Sequence, residues 1–160
     1  MLDLEKILKI LIKNKVEFII VGGYASIIHG ASYVTKDLDL CVNFSEENAA
    51  KILKSINPYH PRHRMHPQSP PLKETPHSLS KYNNLYLRTD IGNLDMLGEI
   101  TGLGNFEHLT NYTIEVELFG KICKVLDIDG LIISKKAIGR PKDNQVVIQL
   151  EAIKKELDKS

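Results

Sequence analysis

Two short runs of strand-forming residues, joined through a glycine pair, constrain this chain more than any other feature. Val16 to Val21 is β-branched and aromatic and ends in Gly22-Gly23; Thr35 to Val42 reads Thr-Lys-Asp-Leu-Asp-Leu-Cys-Val. Both runs are short for helices and carry the residue types of strands. If the second is a strand, Leu38, Leu40 and Val42 share one face, and Asp37, Asp39 and Cys41 share the other. Two carboxylates side by side cannot both be held as anions in a sheet without compensation. A cation is expected between them, and a divalent metal is the usual one. A glycine turn that opens a helix is a place for phosphate. Glycines and paired aspartates together read as a metal-nucleotide site.

The rest of the chain supplies a frame for those strands. Leu4, Ile7, Leu8, Leu11 and Ile12 recur at helical spacing, predicting an amphipathic helix over residues 2–14. A short helix is expected over residues 24–29, with Gly30 where a terminating glycine belongs. Ser45 reads as the N-cap of a helix to about residue 56, with Glu46 and Glu47 at its positive end. Residues 84–89 and 93–97 read as a strand pair turning at Gly92. Residues 113–118 and 122–126 read as a hairpin through Gly120. Helices are expected over 128–138 and 143–157, with Asp143 as the N-cap of the second. Between the helix that ends near residue 56 and the strand that starts at 84 lies a different segment: residues 57–80 hold six of the seven prolines and four of the six histidines. Neither a regular helix nor a central strand tolerates that, and the expectation is a mobile loop. Its Arg62, Arg64 and Lys73 could touch an anionic acceptor.

At 160 residues the chain is long enough for one core and short for two ordinary domains, so residues 1–160 are read as one domain. The elements in order indicate an α+β fold with an α/β-like core. A formal charge of +1 gives no argument for a broadly basic surface. Cys41 and Cys123 make no disulfide framework. No apolar run approaches the ~20 residues that span a bilayer, and a cytoplasmic setting is expected.

Phosphoryl and nucleotidyl transfer demand charge neutralisation on the phosphates and an in-line nucleophile. Carboxylates two apart on a strand can bridge a pair of metal ions, and a third acid from a neighbouring strand commonly completes such a site. Asp95 is the candidate third acid; Asp90, beside the turn, reads as solvated. Mg²⁺ suits hard oxygen ligands. Lys135, Lys136, Arg140 and Lys142 concentrate positive charge beside a break, suited to triphosphate or RNA backbone.

This set, Gly22, Gly23, Asp37, Asp39 and Asp95, resembles the signature of the nucleotidyltransferase superfamily with the polymerase-beta-like fold. Residues 16–42, 87–100 and 126–143 further resemble small bacterial proteins related to the AbiEii toxins, with Leu131-Ile-Ile-Ser-Lys135 and Gly139-Arg140-Pro-Lys-Asp143 standing for their late motif. The resemblance implies a mixed sheet flanked by helices with further helices at the C-terminus. It implies Mg²⁺, with a two-metal site on Asp37, Asp39 and Asp95. Asp95 would hold the nucleophile-side ion and help deprotonate the acceptor. Gly22, Gly23, Lys135 and Arg140 would bind the NTP. It also implies an RNA (tRNA) or protein acceptor, an antitoxin partner, and a toxin–antitoxin or phage-defence setting.

Each feature has a plainer reading beside this one. Gly-Gly is often only a turn, an Asp-x-Asp strand only a solvated face, and the basic cluster only a helix end. His60, His63 and His66 invite zinc, but their spacing is not that of a helical metal pair. His29 reads as a packed or surface histidine rather than a catalytic one. The alternative to an enzyme is a non-catalytic nucleotide-, RNA- or partner-binding module on the same fold.

Overall fold

A computed structural model describes residues 2–159. The first helix, α1 (Leu4–Lys13), starts on Asp3, whose carboxylate accepts the Lys6 backbone N–H, and it buries Ile7, Leu8 and Leu11. Strand β1 (Phe18–Val21) runs directly into α2 (Gly22–Ile28), so the helix begins two residues before the predicted start. The two glycines are its first turn, and Gly22 takes φ +67°, a region closed to most side chains. Strand β2 (Asp37–Val42) and α3 (Glu46–Ile56) follow, the latter capped by Ser45, which accepts from Asn48 N–H.

The proline-rich segment is mostly turns and irregular backbone, as expected, with three short elements set into it. It forms a 3₁₀ turn (Asn57–Tyr59), the two-residue strand β3 (Arg62–His63) and the four-residue α4 (Pro76–Leu79). Pro58 and Pro76 sit at the starts of their helical turns, where a missing N–H costs nothing. Strand β3 lies at a sheet edge, the one place where neighbouring prolines are compatible with pairing.

Strands β4 (Asn84–Thr89) and β5 (Gly92–Leu97) pair as expected. A small ribbon of β6 (Glu99–Ile100) and β7 (Gly104–Asn105), then α5 (Phe106–Leu109), fill a stretch the sequence leaves unassigned. Strands β8 (Thr113–Leu118) and β9 (Lys121–Leu126) turn at Phe119 and Gly120, both at positive φ, as a tight two-residue hairpin requires. The chain ends in α6 (Ile128–Ile138), closed by Gly139 at φ 72°, and α7 (Pro141–Asp158). Arg140, not Asp143, holds the N-cap position of α7. Asp143 stands three residues inside, where its carboxylate accepts the Arg140 backbone N–H.

The seven-stranded sheet has the order β3-β4-β5-β2-β1-β9-β8. Pairings β2–β5 and β1–β9 are parallel and the others antiparallel. The fold is therefore mixed α+β, as the element order indicates. Leu38, Leu40, Leu85, Leu87, Leu94 and Met96 are all but fully buried and belong to a continuous apolar core with α1 and α3. Among the described residues no helix is long and apolar enough to cross a membrane.

Candidate active site

Register decides which side chains meet. Val21 opposes Asp39 on β1 and β2, Asp39 opposes Asp95 on β2 and β5, and Asp95 opposes Tyr86 on β5 and β4. Opposed residues project to the same face. The result is one row across the middle of the sheet, with Gly22 at the end of β1. Asp37, two residues before Asp39, opposes Asn93, which donates to its Oδ1 at 3.0 Å. The three acids singled out in the sequence thus lie together, and two of them, Asp39 and Asp95, line a cleft of about 330 Å³. Gly22, Gly23, Tyr33, Lys135 and Arg140 line it with Asp39 and Asp95.

Gly22 fits because it has no side chain: a Cβ there would collide with the Asp39 carboxylate. A Cβ on Gly23 would stand 2.5 Å from the Tyr33 ring. Gly22 therefore lets the start of α2 approach the Asp39 carboxylate, and Gly23 lets it pack against Tyr33. At seven residues α2 is too short for its dipole alone to argue for an anion.

The electrostatics are those of crowded like charges. The Asp39 carboxyl is pushed up to about 7 by burial first, then by the Asp95 and Asp37 charges. Asp95, only 8% exposed, is also raised, by burial above all, with Arg64 opposing. Asp39 is within hydrogen-bonding reach of Asp95, and the pair holds a proton on Asp39 near neutral pH.

A cation does sit among the acids, and it comes from the proline-rich segment. The Arg64 guanidinium contacts both oxygens of Asp95, at 2.5 and 2.6 Å, and lies 4.0 Å from Asp37 Oδ2. Its Nε is buried without a partner. The sequence reading placed Arg64 with an acceptor instead, because a proline-rich stretch has no periodicity from which to aim a side chain.

The opposite wall is a buried ion cluster. Lys135 is 5% exposed and Asp143 fully buried; Lys135 Nζ lies 3.6 Å from Asp143 Oδ1. Arg140 Nε donates to Asp143 Oδ2 at 2.6 Å, and its Nη2 to Oδ1 at 3.2 Å. Burial raises the Asp143 carboxyl, but the Arg140 bonds and the Lys135 charge outweigh it and leave it below the ordinary range. Lys135 and Lys142 also stand over the Tyr33 ring, at 5.2 and 5.8 Å from its centroid. Lys136 turns away to Glu151.

The remaining sequence candidates lie elsewhere. Asp90 is exposed and pairs with His60 at 2.6 Å. His77 pairs with Glu46, His63 stacks on Tyr82, and His29 bonds the Leu126 carbonyl at 2.8 Å. Among the described residues no three His, Cys, Asp or Glu side chains are disposed as they stand to hold a metal ion.

No protein-family model and no curated protein matches the chain. Solved structures do. A candidate nucleotidyltransferase from Thermotoga maritima aligns over 100% of this chain and 97% of its own, with TM-score 0.53 and 17% identity. An antigenic nucleotidyltransferase-like protein from Paracoccidioides brasiliensis aligns over 94% of this chain and 77% of its own, with TM-score 0.49 and 13% identity. The first likeness shows a shared fold.

Proposed function

We propose that the protein is a Mg²⁺-dependent nucleotidyltransferase that moves an NMP from an NTP to a hydroxyl on an RNA or a protein. The observation that carries this is the in-register pair Asp39 and Asp95, with Asp37 beside them, at the base of a cleft walled by Gly22-Gly23 and by Lys135 and Arg140. The fold shared with the Thermotoga maritima protein supports the reading.

The donor set suits the ion: three carboxylates, with neither sulfur nor imidazole among them, are hard oxygen ligands. Asp37, Asp39 and Asp95 would hold Mg²⁺, which supplies charge neutralisation on the phosphates and on the attacking oxygen. Lys135 and Arg140 bind triphosphate oxygens, and Asp143 beneath them fixes where their charges point. The backbone at Gly22 and Gly23 admits the phosphates close to the sheet. The acceptor oxygen forms a bond to the α-phosphorus as the bond to pyrophosphate breaks. The acceptor's proton passes toward Asp95, the acid assigned to the side of the attacking hydroxyl. A toxin–antitoxin or phage-defence setting, with an antitoxin as partner, belongs to the same reading and rests on the resemblance of the sequence motifs alone.

A second reading, a nucleotide- or partner-binding module without turnover, is favoured by one observation: Arg64 already neutralises Asp95. The deciding experiment incubates the protein with Mg²⁺ and each α-labelled NTP, offering total RNA and total protein, beside Asp39→Asn. Label in one pool with wild type alone establishes transfer and the acceptor class. Label that persists with Asp39→Asn refutes the assignment of the acids, and nucleotide binding without label selects the second reading.

A further inference from the structure

Arg64 is the least expected residue in the cleft, and the way it is held is informative. Its backbone N–H donates to Tyr86 O at 2.9 Å, fixing it beside the residue that opposes Asp95. The turn that carries it is pinned on both sides. His63 N–H donates to Pro70 O and Leu72 N–H to Pro61 O, both at 2.9 Å. Arg62 donates to Ser69 O and Arg88 to Ser69 Oγ, at 2.9 and 2.8 Å. The side chain is mostly shielded, at 23% exposure. It meets Asp95 through one nitrogen, within reach of Asp37, while Asp39 has no such contact.

We propose that Arg64 is a resident cation of the acid cluster, standing in for one of two divalent ions, so that the protein loads a single ion on Asp37 and Asp39. The inference rests on the nucleotidyl-transfer reading and narrows it: Asp95, counted there among the ligands of Mg²⁺, is held by Arg64 instead. A guanidinium nitrogen on both oxygens of Asp95 takes the position between them from which a metal would chelate that carboxylate, and a dication beside it would be repelled. The bonds of the turn to β4 keep the Arg64 backbone beside the cluster. Arginine is the residue suited to this place, because it keeps its charge when shielded from water. Through Asp95, Arg64 is a positioning residue: it fixes that carboxylate against its neighbour Asp39.

Crystals soaked with Mn²⁺ and an equimolar mixture of the four α,β-methylene NTPs test this by anomalous diffraction, which counts and places the ions. Wild type should show one Mn²⁺ peak, against Asp37 and Asp39. Arg64→Gln, checked for folding by its thermal melt, should show two, the second against Asp95; Arg64→Lys should show one. Two peaks in wild type overturn the inference, with no variant needed, and leave nucleotidyl transfer standing. One peak in Arg64→Gln, placed as in wild type, overturns it as well. No Mn²⁺ in any of the three proteins overturns both the inference and the metal-dependent reading beneath it.

Discussion

Replacing Asp39 by Asn should make the metal-free protein more stable, by an amount that grows with pH. In the unfolded chain this carboxyl titrates at its ordinary value of 3.8, whereas the fold pushes it up to about 7. Between those values the native state binds more protons than the unfolded state, so unfolding free energy falls as pH rises. Below about 4 both states are protonated and the penalty vanishes; above about 7 both are ionised and it is complete. At about 1.4 kcal/mol for each tenfold change in affinity, the full effect is at most about 4 kcal/mol. Water entry and relaxation of the cleft recover part of that, so a gain of about 1–3 kcal/mol is expected at pH 8. Asn matches Asp in shape, leaves the Gly22 contact unchanged and relieves the repulsion on Asp95. For a domain of this size the gain corresponds to roughly 3–10 °C in Tm. Circular dichroism melts of both proteins in EDTA at pH 4, 5, 6, 7 and 8 measure the difference directly, since groups common to both cancel. A variant less stable at pH 8, or an advantage equal at pH 4 and pH 8, would refute the account of the acid pair. The same variant should transfer no label, so stability and activity should move in opposite directions.

Three other perturbations probe the walls of the cleft and its support. Gly22→Ala combines a strained positive φ with a collision against Asp39; a loss of about 1–3 kcal/mol by urea unfolding is expected, together with loss of ATP-induced thermal stabilisation. Asp143→Asn leaves the buried Lys135 short of its anion, at a cost of about 2–4 kcal/mol at pH 7. Because the Asp143 carboxyl is lowered in the fold, that deficit should persist above 3.8 and shrink as pH falls further; a deficit that does not shrink in acid urea titrations sinks the ion-pair account. Leu38→Ala, on the opposite face of the aspartate strand and fully buried, should cost about 2–5 kcal/mol; a near-neutral result would mean that this face is not the core side.

Much of this architecture was legible because its signals are local. Gly139 ends α6, Ser45 starts α3, and Gly120 turns the hairpin. Gly22, Gly23, Asp37 and Asp39 lie within one short stretch, so alternation alone put the acids on one face. What could not be read depends on pairings distant in sequence. Asp39 and Asp95 meet through parallel pairing of β2 and β5, which no turn chemistry specifies. The sequence assigns Lys135 to the nucleotide and Asp143 to a cap but not the ion pair between them, because a charged residue gives no local sign that a partner awaits it inside. The proline-rich segment hid Arg64 for a different reason: its order comes from 3₁₀ turns and bonds to β4, which leave no period in the sequence.

The central position of β2 has a consequence for misfolding. The strand is paired on both sides, to β1 and to β5, and each pairing could in principle slip by one residue. A slip would turn Asp37 and Asp39 into the packed leucine layer and expose Leu38 and Leu40 to the cleft. Two carboxylates forced into an apolar layer cost far more than a displaced leucine, so the mispaired sheet is rejected during assembly. The acids assigned to chemistry also proofread strand register, and a variant that neutralises both would give up that safeguard together with its activity.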